Sequence, residues 1–299
     1  MKILVPLDGS ELAEYAIGNA AAIARGLPEP ATIVLARMIQ LSPMAIAAVE
    51  PYAMQIISEA VIAGKDYLRT VSYRPSLDGV PCEVHVDSAT GPVADWIAAV
   101  AHDYHCDLIV LCSRGRGGIA RALLGSTAAE LARTATIPTL IFRPNAPPAH
   151  DARPTQPFTV LVPLDGSPLA EKVIPVAALV THALGGRLRL LHVLPTPSGH
   201  GAEDRAHMVA AEAYLEPLCQ RFAQDGLTGE CSFAFGDPAL QISEQALEGK
   251  CDLVALATHG RSGVERFFVG SVTAWLLDHV PTPLLVVRPP AASDAERGS

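Results

Sequence analysis

One six-residue phrase occurs twice in this chain, and the repeat divides the chain into two halves. Val-Pro-Leu-Asp-Gly-Ser occupies residues 5–10 and returns unchanged at residues 162–167. Later in each half come a Cys-Asp-Leu segment, a Gly-Arg pair and a Gly-Ser pair, and the interval from Gly115 to Gly125 equals that from Gly260 to Gly270. Shared phrases in the same order and at matched spacing predict a duplicated domain.

The length of the chain agrees with two domains. A chain of 299 residues allows two units of about 150 residues each. We predict a first domain over 1–145, a linker over 146–157, a second domain over 158–290 and a polar tail over 291–299. The linker lies within the segment Arg143–Pro157, which contains five prolines and no hydrophobic period.

Charge and hydropathy exclude several classes of partner. The formal net charge of -9 argues against a nucleic acid or an anionic membrane as the partner. No apolar run approaches the 18 residues that a membrane helix needs, and the apolar start of the chain is too short for a signal peptide. We therefore expect a cytoplasmic protein.

The six cysteines fit a reducing compartment better than a disulfide framework. Cys82 and Cys231 are expected at equivalent points of the third strands, and Cys106 and Cys251 precede the fourth strands. Cysteines at such repeated points are typical of small buried hydrophobic residues. The chain has no CxxC pair, so no zinc site is expected.

Strand and helix patterns alternate along both halves. Apolar runs that end at Asp-Gly are typical of buried parallel strands, and Ser10 and Ser167 are suited to cap the helices that follow. Pro168 is expected at the first position of its helix. The predicted strands are 2–7, 32–38, 82–86, 107–112 and 139–142, then 187–193, 231–235, 252–257 and 284–287 after the second repeat phrase; the predicted helices are 10–25, 52–73 and 126–134, then 168–183, 204–225 and 271–279, with third helices opened by Gly91-Pro92 and Asp237-Pro238. This order demands an α/β fold with a parallel sheet covered on both faces.

A glycine motif near the fourth strand of each half resembles that of a known family. Nucleotide-binding universal stress proteins carry G-x2-G-x9-G-[S/T] across the end of this strand and the next helix. The first half reads Cys112-x2-Gly115-x9-Gly125-Ser126 and the second Ala257-x2-Gly260-x9-Gly270-Ser271, so only the leading glycine differs. With the repeated Val-Pro-Leu-Asp-Gly-Ser phrase, the whole chain resembles a tandem universal stress protein.

The resemblance implies a fold and a ligand. It implies two tandem open-twisted five-stranded parallel sheets of order 3-2-1-4-5 with helices on both faces, the adenine-nucleotide alpha-hydrolase-like fold. The implied ligand is ATP, with or without Mg²⁺. The base and ribose would contact Pro6, Asp8 and Met38 in the first half and Pro163, Asp165 and Val193 in the second. The phosphates would lie on Cys112, Arg114, Gly115, Arg116, Gly125, Ser126 and Thr127, and in the second half on Ala257, His259, Gly260, Arg261, Gly270, Ser271 and Val272.

Elementary chemistry supports this placement. Ligands of open parallel sheets collect at the carboxyl ends of strands where the strand order reverses, here between the first and fourth strands. A glycine lets the backbone approach a phosphate closely, and a helix N-terminus favours an anion. Positive charge would come from Arg114, Arg116 and Arg121 in the first half and from His259, Arg261 and Arg266 in the second. Asp8 also suits a turn stabilised by its own backbone, and the two roles can coexist.

The expected function is that of a cytosolic ATP-binding stress-response regulator. No set of residues forms a committed catalytic centre, so the expected enzymatic activity is at most slow ATP hydrolysis. The alternatives are a scaffold that binds proteins and no nucleotide, a weak ATPase and a binder of cyclic AMP. The family precedent implies that the fifth strands pair, within the chain as a pseudo-dimer or between copies as a homo-oligomer, and that the regulator acts on an unknown protein. We expect the second half to bind nucleotide better, because Ala257 and Val193 are smaller than Cys112 and Met38.

Overall fold

The computed structural model describes residues 1–42, 52–113, 124–143, 157–249, 251–258 and 270–288. The first half contains β1 (Lys2–Pro6), α1 (Glu11–Gly26), β2 (Thr32–Gln40), α2 (Ala53–Ser72), a 3₁₀ turn (Pro75–Leu77), β3 (Cys82–Ala89), α3 (Val93–Asp103), β4 (Leu108–Cys112), α4 (Ser126–Thr134) and β5 (Thr139–Phe142). The second half contains β6 (Thr159–Leu164), a 3₁₀ turn (Ala170–Val173), α5 (Ile174–Ala183), β7 (Arg187–Leu194), α6 (Gly201–Gln224), β8 (Thr228–Phe235), α7 (Pro238–Glu248), β9 (Leu253–Ala257), α8 (Ser271–His279) and β10 (Leu284–Val287). The predicted alternation of strand and helix is confirmed.

The two repeat phrases begin their helices in different ways. Ser10 caps α1 as predicted, because its Oγ accepts a hydrogen bond from the Ala13 N–H at 3.1 Å. Ser167 accepts the same bond from Ala170 at 3.1 Å, but a 3₁₀ turn intervenes before α5, so the prediction of Pro168 as the first helical residue was wrong. Pro175 lies at the start of α5. Because it has no N–H, it cannot donate the backbone hydrogen bond that would extend the α-helix towards its N-terminus.

The strands of both halves belong to one sheet rather than to two. The order is β3-β2-β1-β4-β5-β10-β9-β6-β7-β8, so the predicted order 3-2-1-4-5 is confirmed in each half. Strands within a half are parallel, whereas β5 and β10 pair antiparallel with Leu140 opposite Leu285. This pairing closes the two inner edges against each other, which is the predicted pairing of fifth strands. It also fuses the two predicted five-stranded sheets into ten strands.

Two arginines reinforce this junction reciprocally. Arg143 follows β5, and its Nη2 donates to the Leu277 carbonyl near the end of α8 at 2.6 Å. Arg288 follows β10, and its Nη1 donates to the carbonyls of Arg133 and Thr134 at the end of α4, at 3.2 and 3.0 Å. A cation at a helix C-terminus is favourable because of the helix dipole. An arginine from each half is therefore hydrogen-bonded to the last turn of a helix in the other half, α8 for Arg143 and α4 for Arg288.

Arg143 lies at the start of the proline-rich segment that contains the predicted linker, but within the predicted first domain, and it is buried. The side chain is only 2 % exposed. Burial lowers the pKa of its guanidinium, while the nearby Asp278 carboxylate of the other half acts in the opposite direction. The linker boundary at residue 146 remains a prediction, since residues 144–156 lie outside the described part of the chain.

The hydrophobic core lies on both faces of the sheet. Ile3 and Val5 of β1 face one cluster, whereas Leu4 between them faces the other, as the alternation of a strand requires. At the end of α1, a Cβ on Gly26 would overlap the Ala183 carbonyl of α5, so the two halves also touch through these helices. Within the described ranges, no helix has the length and apolarity to cross a membrane.

The cysteines depart from the prediction at one pair. Cys219 of α6 and Cys231 of β8 form a disulfide, whereas Cys82, Cys106, Cys112 and Cys251 do not. Cys106 and Cys251 are buried as expected, but Cys82 and Cys231 are only half-buried. Cys82 and Cys231 are not at equivalent positions, as was expected, but two residues out of register. Cys82 lies opposite Ile33 of β2. Cys231 lies opposite Leu190 of β7, and Leu190 is equivalent to Leu35 rather than to Ile33.

Candidate functional site

A cleft of about 770 Å³ lies at the carboxyl edge of the first half's sheet. It is bounded by the ends of β1, β2 and β4 and by the first turns of α3 and α4. Every predicted first-half site residue within the described ranges lines it: Pro6, Asp8, Met38, Cys112, Gly125, Ser126 and Thr127. Their contribution to ligand binding stays a prediction, but the fold brings all seven into one cleft. The volume is within the usual range of small-molecule sites.

The end of β1 is shaped by a tight turn. The Leu7 N–H donates to the Ala36 carbonyl of β2 at 2.8 Å, which keeps the two strand ends together. The Asp8 carboxylate accepts from the Ser10 N–H at 2.9 Å and from its hydroxyl at 2.6 Å. Gly9 has a φ of +88°, a conformation that other residues rarely adopt. The turn expected at Asp8 is therefore present, and it holds an exposed carboxylate at the rim of the cleft.

The opposite side of the cleft is a helix N-terminus. Gly125 occupies the N-cap position of α4, and no described side chain caps the helix there. The first N–H groups of a helix have no intrahelical partner, and the helix dipole makes this end positive. The Ser126 hydroxyl lies at the same end and is exposed. The arrangement is chemically suited to an anion such as a phosphate.

The wall formed by α3 was missed in the sequence analysis. The apolar residues Pro92, Val93, Trp96 and Ile97 line the cleft from this side. The imidazole of His85 stacks on the Trp96 ring with centroids 5.9 Å apart. A usable signal was present, because the predicted helix opened by Gly91-Pro92 follows the third strand and must start at the same sheet edge.

Charged groups of the described cleft are mainly acidic. Asp8, Asp95 and Glu130 are lining residues, and Glu130 pairs with Arg133 at 2.8 Å. The predicted source of positive charge and of close backbone approach lies outside the described residues: Arg114, Gly115, Arg116 and Arg121.

Cys112 stands where the family motif has its first glycine. Its thiol is half-buried at the end of β4, and burial raises its pKa to about 11, although the nearby Arg143 guanidinium lowers it in part. The thiol is therefore neutral at pH 7. Cys112 and Met38 both line the cleft, and smaller residues at these two positions would leave it more open.

The second half places its predicted residues at the matching edge of the sheet. Pro163 and Asp165 are at the end of β6, Val193 is in β7, and Ala257 ends β9, while Gly270, Ser271 and Val272 begin α8. Asp165 accepts from the Ser167 N–H at 2.9 Å, as Asp8 does from Ser10. The Gly270 N–H donates to the Thr258 carbonyl at 2.7 Å, and a Cβ on Gly270 would lie 3.1 Å from that oxygen. His259, Gly260, Arg261 and Arg266 lie outside the described residues.

Each half also contains a hydrogen bond between a tyrosine and a glutamate near its site. In the first half the Tyr67 hydroxyl donates to Glu14 at 2.6 Å, Arg74 pairs with the same carboxylate at 2.7 Å, and the Arg37 guanidinium lies 4.8 Å from the Tyr67 ring centroid. Burial, and then the bond to Glu14, raise the pKa of Tyr67.

In the second half the Tyr214 hydroxyl donates to Glu171 at 3.1 Å, and His192 lies against the Tyr214 ring with centroids 5.7 Å apart. The His192 Nδ1 in turn lies 2.7 Å from the Leu164 carbonyl, directly before Asp165. The two tyrosines thus occupy equivalent places on α2 and α6.

Comparison with known proteins agrees with this architecture. A universal stress protein from Archaeoglobus fulgidus has a TM-score of 0.71 at 20% identity, with 96% of this chain and 98% of that chain covered. A putative universal stress protein from Pseudomonas aeruginosa has a TM-score of 0.65 at 18% identity, with 96% and 93% covered. Both similarities demonstrate the fold.

Sequence similarity points in the same direction. A universal stress protein of Mycolicibacterium smegmatis is 30% identical over 190 residues, a match covering 61% of this chain and 62% of that relative's length. A Synechocystis universal stress protein is 26% identical over 148 residues, covering 43% of this chain and 96% of the relative. The model of the universal stress protein family matches residues 1–143 and again residues 158–288. The chain therefore belongs to the universal stress protein family and carries two of its domains in tandem.

Proposed function

We propose that this chain is a cytoplasmic regulator of the stress response that binds an adenine nucleotide, ATP, in the first-half cleft. The observation that carries the proposal is the convergence of the seven described residues that the resemblance implied, from three strands and one helix, on one cleft of about 770 Å³. A second site at the matching edge of the second half follows from the repeat. The nucleotide would control contact with a regulatory protein, within the internal pseudo-dimer or a homo-oligomer of it.

The cleft has a place for each part of the ligand. The apolar wall from Trp96 and the Met38 side chain suit a flat base, and the Asp8 carboxylate suits ribose hydroxyls. The N-terminus of α4 suits the phosphates. A magnesium ion would enter with the nucleotide, because Mg²⁺ is usually held by substrate phosphates together with one or two carboxylates.

Stabilisation by ligand provides the first test. At a hundredfold excess over Kd, a ligand that binds only the folded state adds about 2.7 kcal/mol to the free energy of unfolding. At about 2–4 °C per kcal/mol, the Tm should rise by roughly 5–11 °C with ATP and magnesium. A shift below about one degree would favour the protein scaffold that binds no nucleotide.

Alkylation of two matched thiols provides the second test. Burial raises the pKa of both Cys106 and Cys112 to about 11, but only Cys112 lines the cleft. ATP should slow alkylation of Cys112 by iodoacetamide and leave that of Cys106 unchanged, with both rates read by peptide mass spectrometry. Equal rates at Cys112 with and without saturating ATP would contradict a ligand in this cleft.

A further inference from the structure

The Cys219–Cys231 disulfide fastens a surface helix to the outermost strand of the second half. Cys219 lies in α6 and Cys231 in β8, with Cα atoms 6.4 Å apart and a sequence separation of 12. β8 is the last strand of the ten-stranded order, so within the described part of the chain it has a neighbouring strand on one side only. Both cysteines are half-buried, which leaves them within reach of a small oxidant or reductant.

The first half lacks this pair at the equivalent positions. Tyr67 and Tyr214 are equivalent through their contacts with Glu14 and Glu171, so five residues further along the helix Ser72 matches Cys219. The strand registers match Val84 with Cys231, since both lie opposite equivalent leucines of β2 and β7. Of the two halves, only the second therefore has a cysteine pair at these positions.

The other four thiols are poorly suited to oxidation. Burial raises the pKa of Cys106 and Cys112 to about 11 and also raises that of Cys82 and Cys251. Because the thiolate is the reactive form, these cysteines react slowly at neutral pH. Cys219 and Cys231 differ from these four in lying within disulfide distance of each other, so the second thiol can trap a sulfur that an oxidant has oxidised.

The helix that carries Cys219 also carries Tyr214, which contacts the edge of the second-half site. Tyr214 donates to Glu171 at 3.1 Å and packs on His192, whose Nδ1 lies 2.7 Å from the Leu164 carbonyl. Asp165 and Val193, both predicted to contact the nucleotide, are the next residues along the chain. A displacement of α6 would thus reach two predicted ligand-binding residues through one aromatic contact.

We propose that Cys219 and Cys231 form a reversible redox site that controls how firmly α6 holds the edge of the second-half site. In the oxidised protein the disulfide clamps α6 to β8; in the reduced protein α6 loosens and the Tyr214 contacts weaken. The effect on nucleotide affinity rests on the function proposed above, whereas the redox control of α6 does not.

The chemistry balances with hydrogen peroxide as oxidant and a dithiol as reductant. One thiolate attacks peroxide, the O–O bond breaks, and the sulfur becomes a sulfenic acid; the hydroxide that leaves takes up the proton that the thiol lost and becomes water. The second thiolate then attacks the sulfenic sulfur, the S–S bond forms, and hydroxide leaves and is protonated to a second water. Two electrons pass from the thiols to peroxide. A dithiol reverses the step through a mixed disulfide, takes up the oxidised state itself and leaves both cysteines as thiols.

The first experiment uses the full chain without nucleotide. After dithiothreitol all six cysteines should be alkylated in denaturant, and after peroxide only four, with the missing two mapping to the peptides of Cys219 and Cys231. Reduction should speed amide hydrogen exchange about tenfold or more in α6 and β8, and change α2 and β3 less than about twofold. Loss of other thiols to peroxide, a disulfide that dithiothreitol leaves intact, or equal exchange in both redox states overturns the proposal.

A variant matched to the first half removes the pair without introducing foreign residues. Cys219→Ser with Cys231→Val copies Ser72 and Val84, and it should show the rapid α6 exchange of the reduced protein in either redox condition. Cys82→Ser is the control, and it should respond to peroxide as the parent does. A matched variant that still responds to peroxide in α6 would refute the assignment.

Hydrogen exchange measured as a function of ATP concentration separates the redox proposal from the proposed nucleotide function. ATP should protect amides of residues 162–167 at about tenfold lower concentration in the oxidised than in the reduced protein, while residues 5–10 respond equally in both. Equal ATP responses of residues 162–167 in both redox states would overturn the redox effect on affinity. If ATP protects neither segment in either state, the proposed nucleotide function fails, and the exchange of α6 still decides the redox site.

Discussion

The junction between the halves makes a quantitative prediction for a double-mutant cycle. Leu140 of β5 and Leu285 of β10 lie directly opposite each other in the antiparallel pair, and both side chains are 0 % exposed. They belong to the same hydrophobic cluster on one face of the sheet. Opposed residues of antiparallel strands have Cβ atoms about 4.5–5.5 Å apart, so each leucine is a main packing partner of the other.

Each single truncation to alanine should lower the free energy of unfolding by about 2–5 kcal/mol, since a fully buried leucine loses both its transfer free energy and the packing around the cavity. The double variant should lose less than the sum of the two. Once one leucine is gone, the other has already lost part of its contacts. A coupling energy of about 0.5–3 kcal/mol is expected for residues in contact.

Urea denaturation of the four proteins measures the cycle, and Leu161 provides a matched control. Leu161 in β6 is also 0 % exposed, but it packs on the opposite face and lies three strands from β5 in the sheet order. At about 4.8 Å per strand the separation is roughly 14 Å, so Leu140→Ala and Leu161→Ala should be additive within about 0.5 kcal/mol. Additivity of Leu140→Ala with Leu285→Ala to the same precision would refute the packing of the halves through these strands.

Three further predictions concern the sites and one titrating group. Removing the hydroxyl in Ser126→Ala should weaken ATP binding by about 1.5–3 kcal/mol in calorimetry, and unchanged affinity would contradict phosphate binding at α4. Cys112→Gly should tighten binding at the first-half cleft, because it restores the space that the family motif leaves at this position; an unchanged or weaker affinity of that cleft would contradict the steric argument for the second half as the better site. Because burial and the bond to Glu14 raise the pKa of Tyr67, its stabilisation is fully present below the ordinary tyrosine pKa of about 10 and falls as pH rises above it. Tyr67→Phe should flatten the decline of Tm above pH 10, whereas Tyr73→Phe, at an 85% exposed tyrosine, should not.

Much of the local structure could be read from residue order alone. The predicted helices over 126–134 and 271–279 and the strands over 139–142 and 284–287 agree with the structure to the residue. These elements are marked by local signals: a Gly-Ser start, short apolar runs, and prolines that cannot continue a helix. The alternation of strand and helix predicted the parallel sheet, and the resemblance to universal stress proteins supplied the strand order.

The tertiary structure alone decided what connects distant parts of the chain. The resemblance left open whether the fifth strands pair within the chain or between copies, and the fold selects the first. The reciprocal contacts of Arg143 and Arg288 and the apolar α3 wall of the cleft also depend on residues far apart in sequence. The Cys219–Cys231 disulfide depends on the register of β8 against β7. In that register the first-half residue equivalent to Cys231 is Val84, two residues beyond Cys82. Periodicity within a segment reports which face of that segment is apolar. It carries no information on which other segment covers that face, and only packing of the whole chain selects that partner.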